Sequence, residues 1–329
     1  MGLKTVVTVH VPGNVCMRGT MLHSGRNVCD GRILPSKCGA CWLESKGVPA
    51  VAARCIGNLP QGLRFVGAVP HLGPSLAARA LAANRKKDLE DMTAAADRIV
   101  AVCAWLHDAL VLNGVPLGKL ILNRQGVAHS RQFSPSRSSK ISSDVLRFGF
   151  LGRWDPLKGV HMLVDAFMRL PKNLPVELVI CAVAAGSDSK KYRENVQYSA
   201  KRDCRIHFLP EMEPERVRDF FGGIDVLTVP SQWLETGPLV VLEAFAAGIP
   251  VIGSDLGGIA ELVRHERDGL LVSYDDVAAW TLTMERLVTD RALLMRLRSE
   301  IRPSRTMSDV ANEMTNVYEK LLAKRPNAA

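Results

Sequence analysis

Short apolar runs alternate with amphipathic stretches along the second half of the chain. The runs FGFLG, VELVICAV, RIHFLP, DVLTVPS, PVIGS and GLLVS, between residues 148 and 273, have the length and composition of buried strands. Stretches with helical apolar spacing separate them, such as VHMLVDAFMRL at 160–170. Alternation of this kind predicts an α/β fold, with a parallel sheet and helices on both of its faces.

The first half of the chain shows the same alternation less completely. TVVTVH at 5–10 predicts a strand that ends in a histidine, and two more strands are predicted within RIVAV and LGKLIL. A segment rich in Ser, Arg and Pro follows and predicts a hinge. We therefore predict a first domain at 1–132, a linker at 133–146 and a second domain at 147–304. A terminal helix is predicted at 305–329 from apolar positions at helical spacing, which are Val310, Met314, Val317 and Leu321.

Two carboxylates, Glu235 and Glu243, lie eight positions apart in PSQWLETGPLVVLEAFAAGIPVIGSDLGG at 230–258. Pro238 disfavours helical geometry at the preceding residue, so Glu235 is expected on a loop and a helix is expected to open at Leu239. The unpaired N–H groups at the start of such a helix favour a phosphate, and Glu243 could accept hydrogen bonds from sugar hydroxyls. The alternative is that both carboxylates are solvated surface residues.

A second candidate site is the sequence GRWDPLKG at 152–159, which follows one predicted strand and precedes a predicted helix. Many phosphate-binding sites have this order, in which a strand is followed by a glycine-bounded basic loop and then by a helix. The loop begins at Gly152. Within it, Arg153 could form a bidentate clamp on a phosphate and Lys158 would add a compact positive charge. Together they could neutralise a diphosphate without a metal ion. The alternative is again a pair of solvated surface cations.

Composition limits the classes of function. The 329 residues, 47% of them hydrophobic, can form two domains with their own cores. No uninterrupted apolar run is long enough to span a membrane, and the first residues do not resemble a signal peptide, so we expect a cytoplasmic protein. The net charge of +9 suits an anionic substrate and contact with an anionic lipid surface. Nucleic acid is not expected as a partner, since the basic residues are scattered and aromatic residues make up 5% of the chain.

The sequences GRWDPLKG and PSQWLETGPLVVLEAFAAGIPVIGSDLGGIAELV resemble the donor half of the retaining glycosyltransferases of family 4. These enzymes have the GT-B architecture of two facing Rossmann-like domains, and the resemblance runs from about residue 147 to the C-terminus. It implies that Glu235 contacts the transferred sugar, that Glu243 holds the ribose of the nucleotide, and that Arg153 and Lys158 bind the donor's phosphates. It also implies backbone contacts to the donor from the loop formed by Gly237, Pro238 and Leu239.

For the first domain, the resemblance implies an acceptor-side Rossmann-like domain in which His10, at the end of the first strand, lines the donor sugar. The other interpretation of His10 is a structural residue with a local partner. Relatives have about another hundred residues before this strand, which is the size of most of a domain, so we expect the N-terminal domain to be incomplete. In relatives the terminal helix crosses back onto this domain.

Four cysteines, Cys16, Cys29, Cys38 and Cys41, lie in a predicted Cys-rich loop at 16–41, and the last two form a Cys-x-x-Cys pair. Such spacing fits a structural tetrahedral zinc or, less well, an iron–sulfur cluster. Reduced thiols without metal and a redox role are the alternatives, and disulfides are disfavoured in the cytosol. Family 4 relatives include some with a similar cysteine-rich insertion, but the resemblance does not indicate what it binds.

The predicted function is transfer of a sugar from a nucleotide diphosphate sugar to a hydroxyl acceptor, with retention at the anomeric carbon. The acceptor would be a sugar or glycolipid in cell-surface polysaccharide or glycolipid synthesis, reached at the inner face of the membrane. No catalytic cofactor is expected, since the sequence has no Asp-x-Asp metal motif. One alternative is a nucleotide-sugar isomerase or hydrolase that uses His10, His23 or His71. The other is a non-catalytic module that only binds the donor.

Overall fold

The computed structural model describes residues 3–59, 77–128, 145–184 and 186–323. The chain divides into two compact units, one formed by Met1–Arg124 with Asn312–Ala329 and the other by Gln125–Ala311. All but the last two residues of the predicted linker at 133–146 lie outside the described residues, as does His71.

The first unit contains a three-stranded parallel sheet. The strands described in this unit are β1 (Val6–Val9), β2 (Leu22–His23), β3 (Asn27–Val28), β4 (Arg98–Ala101) and β5 (Leu120–Leu122). The sheet has the order β1-β4-β5, while β2 and β3 form a short antiparallel hairpin. The described helices are α1 (Pro35–Ser45), α2 (Ala50–Gly57), α3 (Ala78–Ala95) and α4 (Ala104–Leu112). The three strands predicted from the first half of the sequence are therefore confirmed.

The second unit is built on a six-stranded parallel sheet. Its strands are β6 (Leu146–Arg153), β7 (Val176–Val183), β8 (Ile206–Leu209), β9 (Val226–Val229), β10 (Val251–Ser254) and β11 (Gly269–Val272). They lie in the order β11-β10-β9-β6-β7-β8. All six predicted strands are confirmed. The chain runs outward from β6 in one direction and from β9 in the other, so the strand order reverses between these two neighbours.

Helices cover both faces of this sheet, as the alternating pattern predicted. They are α5 (Val160–Met168), α6 (Gly186–Ala200), α7 (Val217–Gly222), α8 (Leu239–Ala246), α9 (Gly257–Leu262), α10 (Val277–Thr289) and α11 (Arg291–Ser299). Successive strand residues enter different apolar clusters: Val226 packs with Phe167 and Trp280, while Leu227 packs with Phe220 and Ile259. Side chains of a strand alternate between faces, so each face has its own core. The predicted terminal helix is α12 (Met307–Ala323).

Strand β6 is longer than the sequence pattern predicted. Gly152 and Arg153 were expected in the loop, but they pair with Ala182 and Val183 of the neighbouring strand β7. The apolar run VELVICAV of β7 provides backbone partners for two further residues of β6, whereas glycine and arginine alone do not indicate a strand. Arg153 therefore lies at the end of a strand and is held by the sheet.

The segment 16–41 is not a single loop as predicted. It contains the hairpin of β2 and β3 and the first seven residues of α1, so Cys38 and Cys41 lie on a helix. Pro35 occupies the first position of α1, where its missing N–H costs nothing. The segment is fixed to α4 by Asn113, whose Oδ1 accepts a bond of 2.8 Å from the Ile33 N–H and whose Nδ2 donates to the Gly31 carbonyl at 2.7 Å.

An ion pair of the second unit ties the start of β8 to the end of α5. Asp203, which is 5% exposed, accepts hydrogen bonds from Arg205 Nε at 2.9 Å and Nη2 at 2.8 Å, and a further bond from Lys172. Arg205 also donates to the Pro171 carbonyl and lies 5.1 Å from the centroid of the Phe167 ring. The bonds from Arg205 hold the pKa of Asp203 well below its usual range.

We predict that Asp203→Asn lowers the free energy of unfolding by roughly 2 kcal/mol at pH 7, since hydrogen bonds to a charged group are lost. Because the pKa of Asp203 is depressed in the folded state, its contribution is complete above the ordinary value of 3.8 and is lost as the pH falls below it. Urea denaturation at pH 7 and pH 3 should therefore show a difference that shrinks in acid. Asp219→Asn, at the exposed Arg216–Asp219 pair, is the control and should change little. An equal loss at both pH values would contradict this account.

Candidate active site

The candidate site lies at the carboxyl ends of β6 and β9. The chain leaves β6 through a short 3-10 turn, Pro156–Lys158, and leaves β9 through the loop 230–238 that precedes α8. Because β6 and β9 are parallel neighbours, both loops emerge at the same edge of the sheet. This is the point where the strand order reverses, and ligands of doubly wound sheets bind at such points.

Lys158 and Glu235, one from each loop, form a largely buried ion pair. Lys158 Nζ lies 2.5 Å from Glu235 Oε1, and the two side chains are 19% and 8% exposed. The same oxygen accepts hydrogen bonds from Ser231 Oγ at 2.8 Å and from Trp233 Nε1 at 2.9 Å. Three donors therefore converge on one carboxylate oxygen. The alternative that Glu235 is a solvated loop residue is wrong, although its position on a loop was predicted correctly.

The two loops are joined through Gln232. Its backbone N–H donates to the Leu157 carbonyl at 2.7 Å, and its side-chain Nε2 donates to the carbonyls of Pro230 at 2.8 Å and Tyr274 at 2.6 Å. A single glutamine thus connects the loops after β6, β9 and β11. These hydrogen bonds of Gln232 help to set the position of Glu235 relative to Lys158.

Two glycines allow this close approach. Gly159 has φ +71°, and a Cβ there would lie 1.9 Å from the Pro230 carbonyl oxygen. The N–H of Gly258 donates to the Glu235 carbonyl at 2.7 Å, and a Cβ on Gly258 would lie 2.6 Å from that same oxygen. Any larger residue at either position would displace the backbone of the loop that contains Glu235.

Helix α8 begins where the sequence predicted. Pro238 is its N-cap and Leu239 its first helical residue, while Gly237 has φ +127°, a conformation that side chains with a Cβ rarely adopt. The first N–H groups of a helix have no partner within the helix, and the positive end of its dipole favours an anion. The start of α8 is thus chemically suited to a phosphate, and the donor contacts predicted for 237–239 stay a prediction.

Glu243 lies one turn into α8 and is half-buried. Its carboxylate forms no hydrogen bond or ion pair with any residue in the described part of the chain, and burial raises its pKa. The alternative of a fully exposed carboxylate is therefore wrong. A half-buried carboxylate with no described partner costs stability, and groups of this kind are common at functional sites.

The remaining predicted residues are placed as follows. Arg153 is exposed at the end of β6, and its guanidinium forms no ion pair with any described residue. Gly152 pairs with Ala182 in the sheet. His10 is exposed directly after β1 and belongs to the first unit. The structure brings Lys158 and Glu235 together, and the roles predicted for these two residues, for Arg153 and for His10 stay predictions.

The four cysteines line one pocket of the first unit together with His23. Three of the four thiols have separate partners: Cys41 Sγ accepts a bond from the Ser24 N–H, Cys38 Sγ donates to the Arg32 carbonyl, and Cys29 Sγ donates to Asp30. Burial raises the pKa of Cys29 and Cys38 above the ordinary value of a thiol.

Among the described residues, which include Cys16, Cys29, Cys38 and Cys41, no group of three or more His, Cys, Asp or Glu is arranged to hold a metal ion. The cysteines as placed do not fit the predicted structural zinc. No metal enters the mechanism proposed below.

Three residues of the site were missed by sequence reasoning. Ser231 and Trp233 donate to Glu235, and Gln232 joins the loops. The available signal was the sequence PSQW, which places three side-chain donors between a predicted strand and a candidate carboxylate. Such residues are common in loops, so spacing alone did not distinguish them.

The family model of the glycosyl transferases group 1 matches residues 134–303, which is just over half of the chain. The chain belongs to the group 1 glycosyl transferases. The predicted glycosyltransferase resemblance and GT-B α/β class are thus confirmed, whereas family 4 and the retaining reaction stay predictions.

Group 1 relatives share only part of their length with this chain. An uncharacterised glycosyltransferase of Methanocaldococcus jannaschii is 28% identical over 189 residues, covering 56% of this chain and 47% of its own. A D-inositol 3-phosphate glycosyltransferase of Nocardia farcinica is 33% identical over 153 residues, covering 45% and 34%. The chain thus spans about half, or less, of the length of these curated relatives.

Among solved structures, Anabaena HepE in complex with UDP and glucose has the same fold. The TM-score is 0.62 at 18% sequence identity, and the match covers 71% of this chain and 67% of HepE. Within the described part of this group 1 chain, no helix is both long and apolar enough to cross a membrane.

We predict that Glu243→Gln stabilises the protein at pH 8 by roughly 0.5–2 kcal/mol, because it removes the cost of ionising a half-buried carboxyl group. The pKa of Glu243 is raised in the folded state, so this cost is absent below the ordinary value of 4.5 and complete above the raised pKa. Thermal denaturation at pH 8 should show the gain, and at pH 4 it should disappear. Glu194→Gln, on the exposed face of α6, is the control. A variant that is less stable at pH 8 would contradict this interpretation.

Proposed function

We propose that this chain binds a nucleotide diphosphate sugar and transfers the sugar to a hydroxyl acceptor with retention at the anomeric carbon. The observation that carries this proposal is the buried Lys158–Glu235 pair at the switch point of the sheet. Glu235 lies only a few residues before the first residue of α8, and Lys158 lies in the loop after the neighbouring strand β6, so a cation, a carboxylate and a helix N-terminus belong to one edge of the sheet.

In this proposal the diphosphate is bound by positive groups of three kinds. Lys158 supplies a compact charge, Arg153 supplies a guanidinium with no described ion-pair partner, and the start of α8 supplies backbone N–H groups. As the bond to the sugar breaks, negative charge grows on the diphosphate. Fixed cations and dipoles stabilise that charge without moving, which is a large term in enzymatic rate enhancement.

In this proposal the two carboxylates, Glu243 and Glu235, contact different parts of the donor. Glu243 is half-buried and has no described side-chain partner, so it can accept hydrogen bonds from the ribose hydroxyls. Glu235 is held in place by its three donors and orients the sugar ring. His10 in the first unit is proposed as a further contact to the sugar.

Retention without a covalent intermediate is favoured by the surroundings of Glu235. Double displacement needs a carboxylate nucleophile. Glu235 Oε1 already accepts three hydrogen bonds, one of them from an ammonium group, and this lowers its nucleophilicity. We therefore propose attack on the same face that the diphosphate leaves. The acceptor oxygen bonds to the anomeric carbon, the carbon–phosphate oxygen bond breaks, and the acceptor proton passes to the departing phosphate oxygen.

Relatives support this choice of donor and reaction class. HepE was solved with UDP and glucose, and several curated relatives are named as D-inositol 3-phosphate glycosyltransferases. For this chain we propose a sugar or glycolipid acceptor in cell-surface polysaccharide or glycolipid synthesis. The proposed location is the cytoplasm, with peripheral contact at the inner face of the membrane.

A titration followed by a turnover assay tests the proposal against its alternatives. Isothermal titration calorimetry with UDP and UDP-glucose measures donor binding, and release of UDP is then followed with and without a panel of sugar and glycolipid acceptors. Acceptor-dependent release supports the transferase. Release without any acceptor would favour the hydrolase or isomerase, and binding without release would favour the donor-binding module.

We predict that Arg153→Ala weakens UDP binding on the order of tenfold, since one charge-assisted hydrogen-bonding partner of the diphosphate is lost. Arg147→Ala is a matched control, because Arg147 lies near the opposite end of the same strand β6 and pairs with Glu177. Calorimetric titration of both variants with UDP makes the comparison. Equal affinities in the two variants would mean that Arg153 does not bind the phosphates.

A further inference from the structure

Trp233 contacts both charges of the candidate site. Its indole Nε1 donates to Glu235 Oε1 at 2.9 Å, and Lys158 Nζ lies 5.7 Å from the centroid of its ring. The side chain is half-buried. A single aromatic residue therefore hydrogen-bonds the carboxylate and offers its ring to the cation, an arrangement within the range of cation–π attraction.

Ser231 supplies a second neutral donor to the same oxygen. It is 1% exposed, and its hydroxyl donates to Glu235 Oε1 at 2.8 Å. The loop that contains Ser231 and Trp233 is fixed by Gln232, through its bonds to Leu157 and Tyr274. The loop that carries both donors is thus held by hydrogen bonds of Gln232 in which Lys158 is neither donor nor acceptor.

These neutral donors are important because Lys158 has two competing partners in the proposed function, Glu235 and the donor diphosphate. Its ammonium group pairs with Glu235 in this structure, yet in the proposed function it also binds the donor diphosphate. If Lys158 turned toward a phosphate, Glu235 would lose this charged partner although the residue is only 6% exposed. A buried carboxylate without partners is strongly destabilising. Hydrogen bonds from Trp233 and Ser231 keep the carboxylate satisfied during this exchange.

We propose that Trp233, assisted by Ser231, is a positioning residue that holds the Glu235 carboxylate in the orientation that contacts the sugar while Lys158 binds the diphosphate. This inference rests on the proposed function. Trp233 acts through Glu235 and does not itself react. Its effect should therefore fall on recognition of the sugar, measured as the ratio of the affinities for UDP-glucose and UDP.

The experiment measures the dissociation constants of the full chain for UDP-glucose and UDP by calorimetry. Trp233→Phe keeps an aromatic ring beside Lys158, although a smaller one, and removes the N–H donor to Glu235. We expect it to lower the ratio of UDP-glucose affinity to UDP affinity about tenfold, with Ser231→Ala giving a change in the same direction. In a Glu235→Gln background, Trp233→Phe should change the ratio less than about twofold, because residues that act as one unit are not additive.

A second tryptophan provides a matched control. Trp280 is buried in the core of the second unit, and its Nε1 donates to the Ser273 carbonyl at 3.0 Å. Trp280→Phe removes the same kind of donor at a distance in sequence from the site. We expect a lower melting temperature with an unchanged affinity ratio.

The outcomes separate this inference from the proposed function. If the wild-type chain prefers UDP-glucose to UDP but Trp233→Phe leaves the ratio within about twofold, the role of Trp233 is overturned and donor binding stands. Additive effects of Trp233→Phe and Glu235→Gln would also overturn it, since they would indicate a structural role alone. If the wild-type chain binds neither nucleotide, the proposed function fails and this inference fails with it.

Discussion

The buried ion pair between Lys158 and Glu235 is the constraint on which the rest of the site depends. Removing two charges from water costs more than their attraction returns unless further hydrogen bonds satisfy them. Ser231 and Trp233 provide those bonds at 2.8 and 2.9 Å. The loops can approach closely enough for this because Gly159 has no Cβ, which would otherwise collide with the chain after β9. Ser231, Trp233 and Gly159 thus each help to keep one buried carboxylate satisfied.

The fold explains how two side chains that are 77 positions apart meet in this way. Strands β6 and β9 are neighbours because the chain adds β7 and β8 on one side and β10 and β11 on the other. No helix has to cross the carboxyl ends of the two central strands, so their loops are left to face a ligand. The same arrangement places the first turn of α8 directly after the loop that contains Glu235. Topology therefore supplies a cation, a carboxylate and a helix end without any long-range adjustment.

The strands of the second unit and the start of α8 could be predicted from the sequence, because local sequence features determine them. Pro238 separates the loop of Glu235 from helix α8, and the apolar runs define six strands that the structure confirms. The bonds from Ser231 and Trp233 could not be predicted, since they depend on how Gln232 fixes the loop against Tyr274 in a distant part of the chain. The cysteines differ in this respect. Their spacing fits zinc, but among the described residues no group is arranged to hold a metal ion, and local hydrogen bonds give Cys41 and Cys38 separate partners.

The two carboxylates of the site, Glu235 and Glu243, have opposite surroundings. This difference fits different roles for the two groups in the proposed function. Glu235 accepts bonds from three side chains, so its orientation is set before any ligand arrives and little entropy is lost when it contacts one. Glu243 is half-buried with no described side-chain partner and a raised pKa, so the folded protein bears a cost that a ligand's hydroxyl groups would relieve. In the proposed function, a ligand that satisfies Glu243 gains affinity from a group that destabilises the protein alone. One carboxylate would then provide orientation and the other binding energy, a combination suited to a two-part ligand such as the proposed nucleotide sugar.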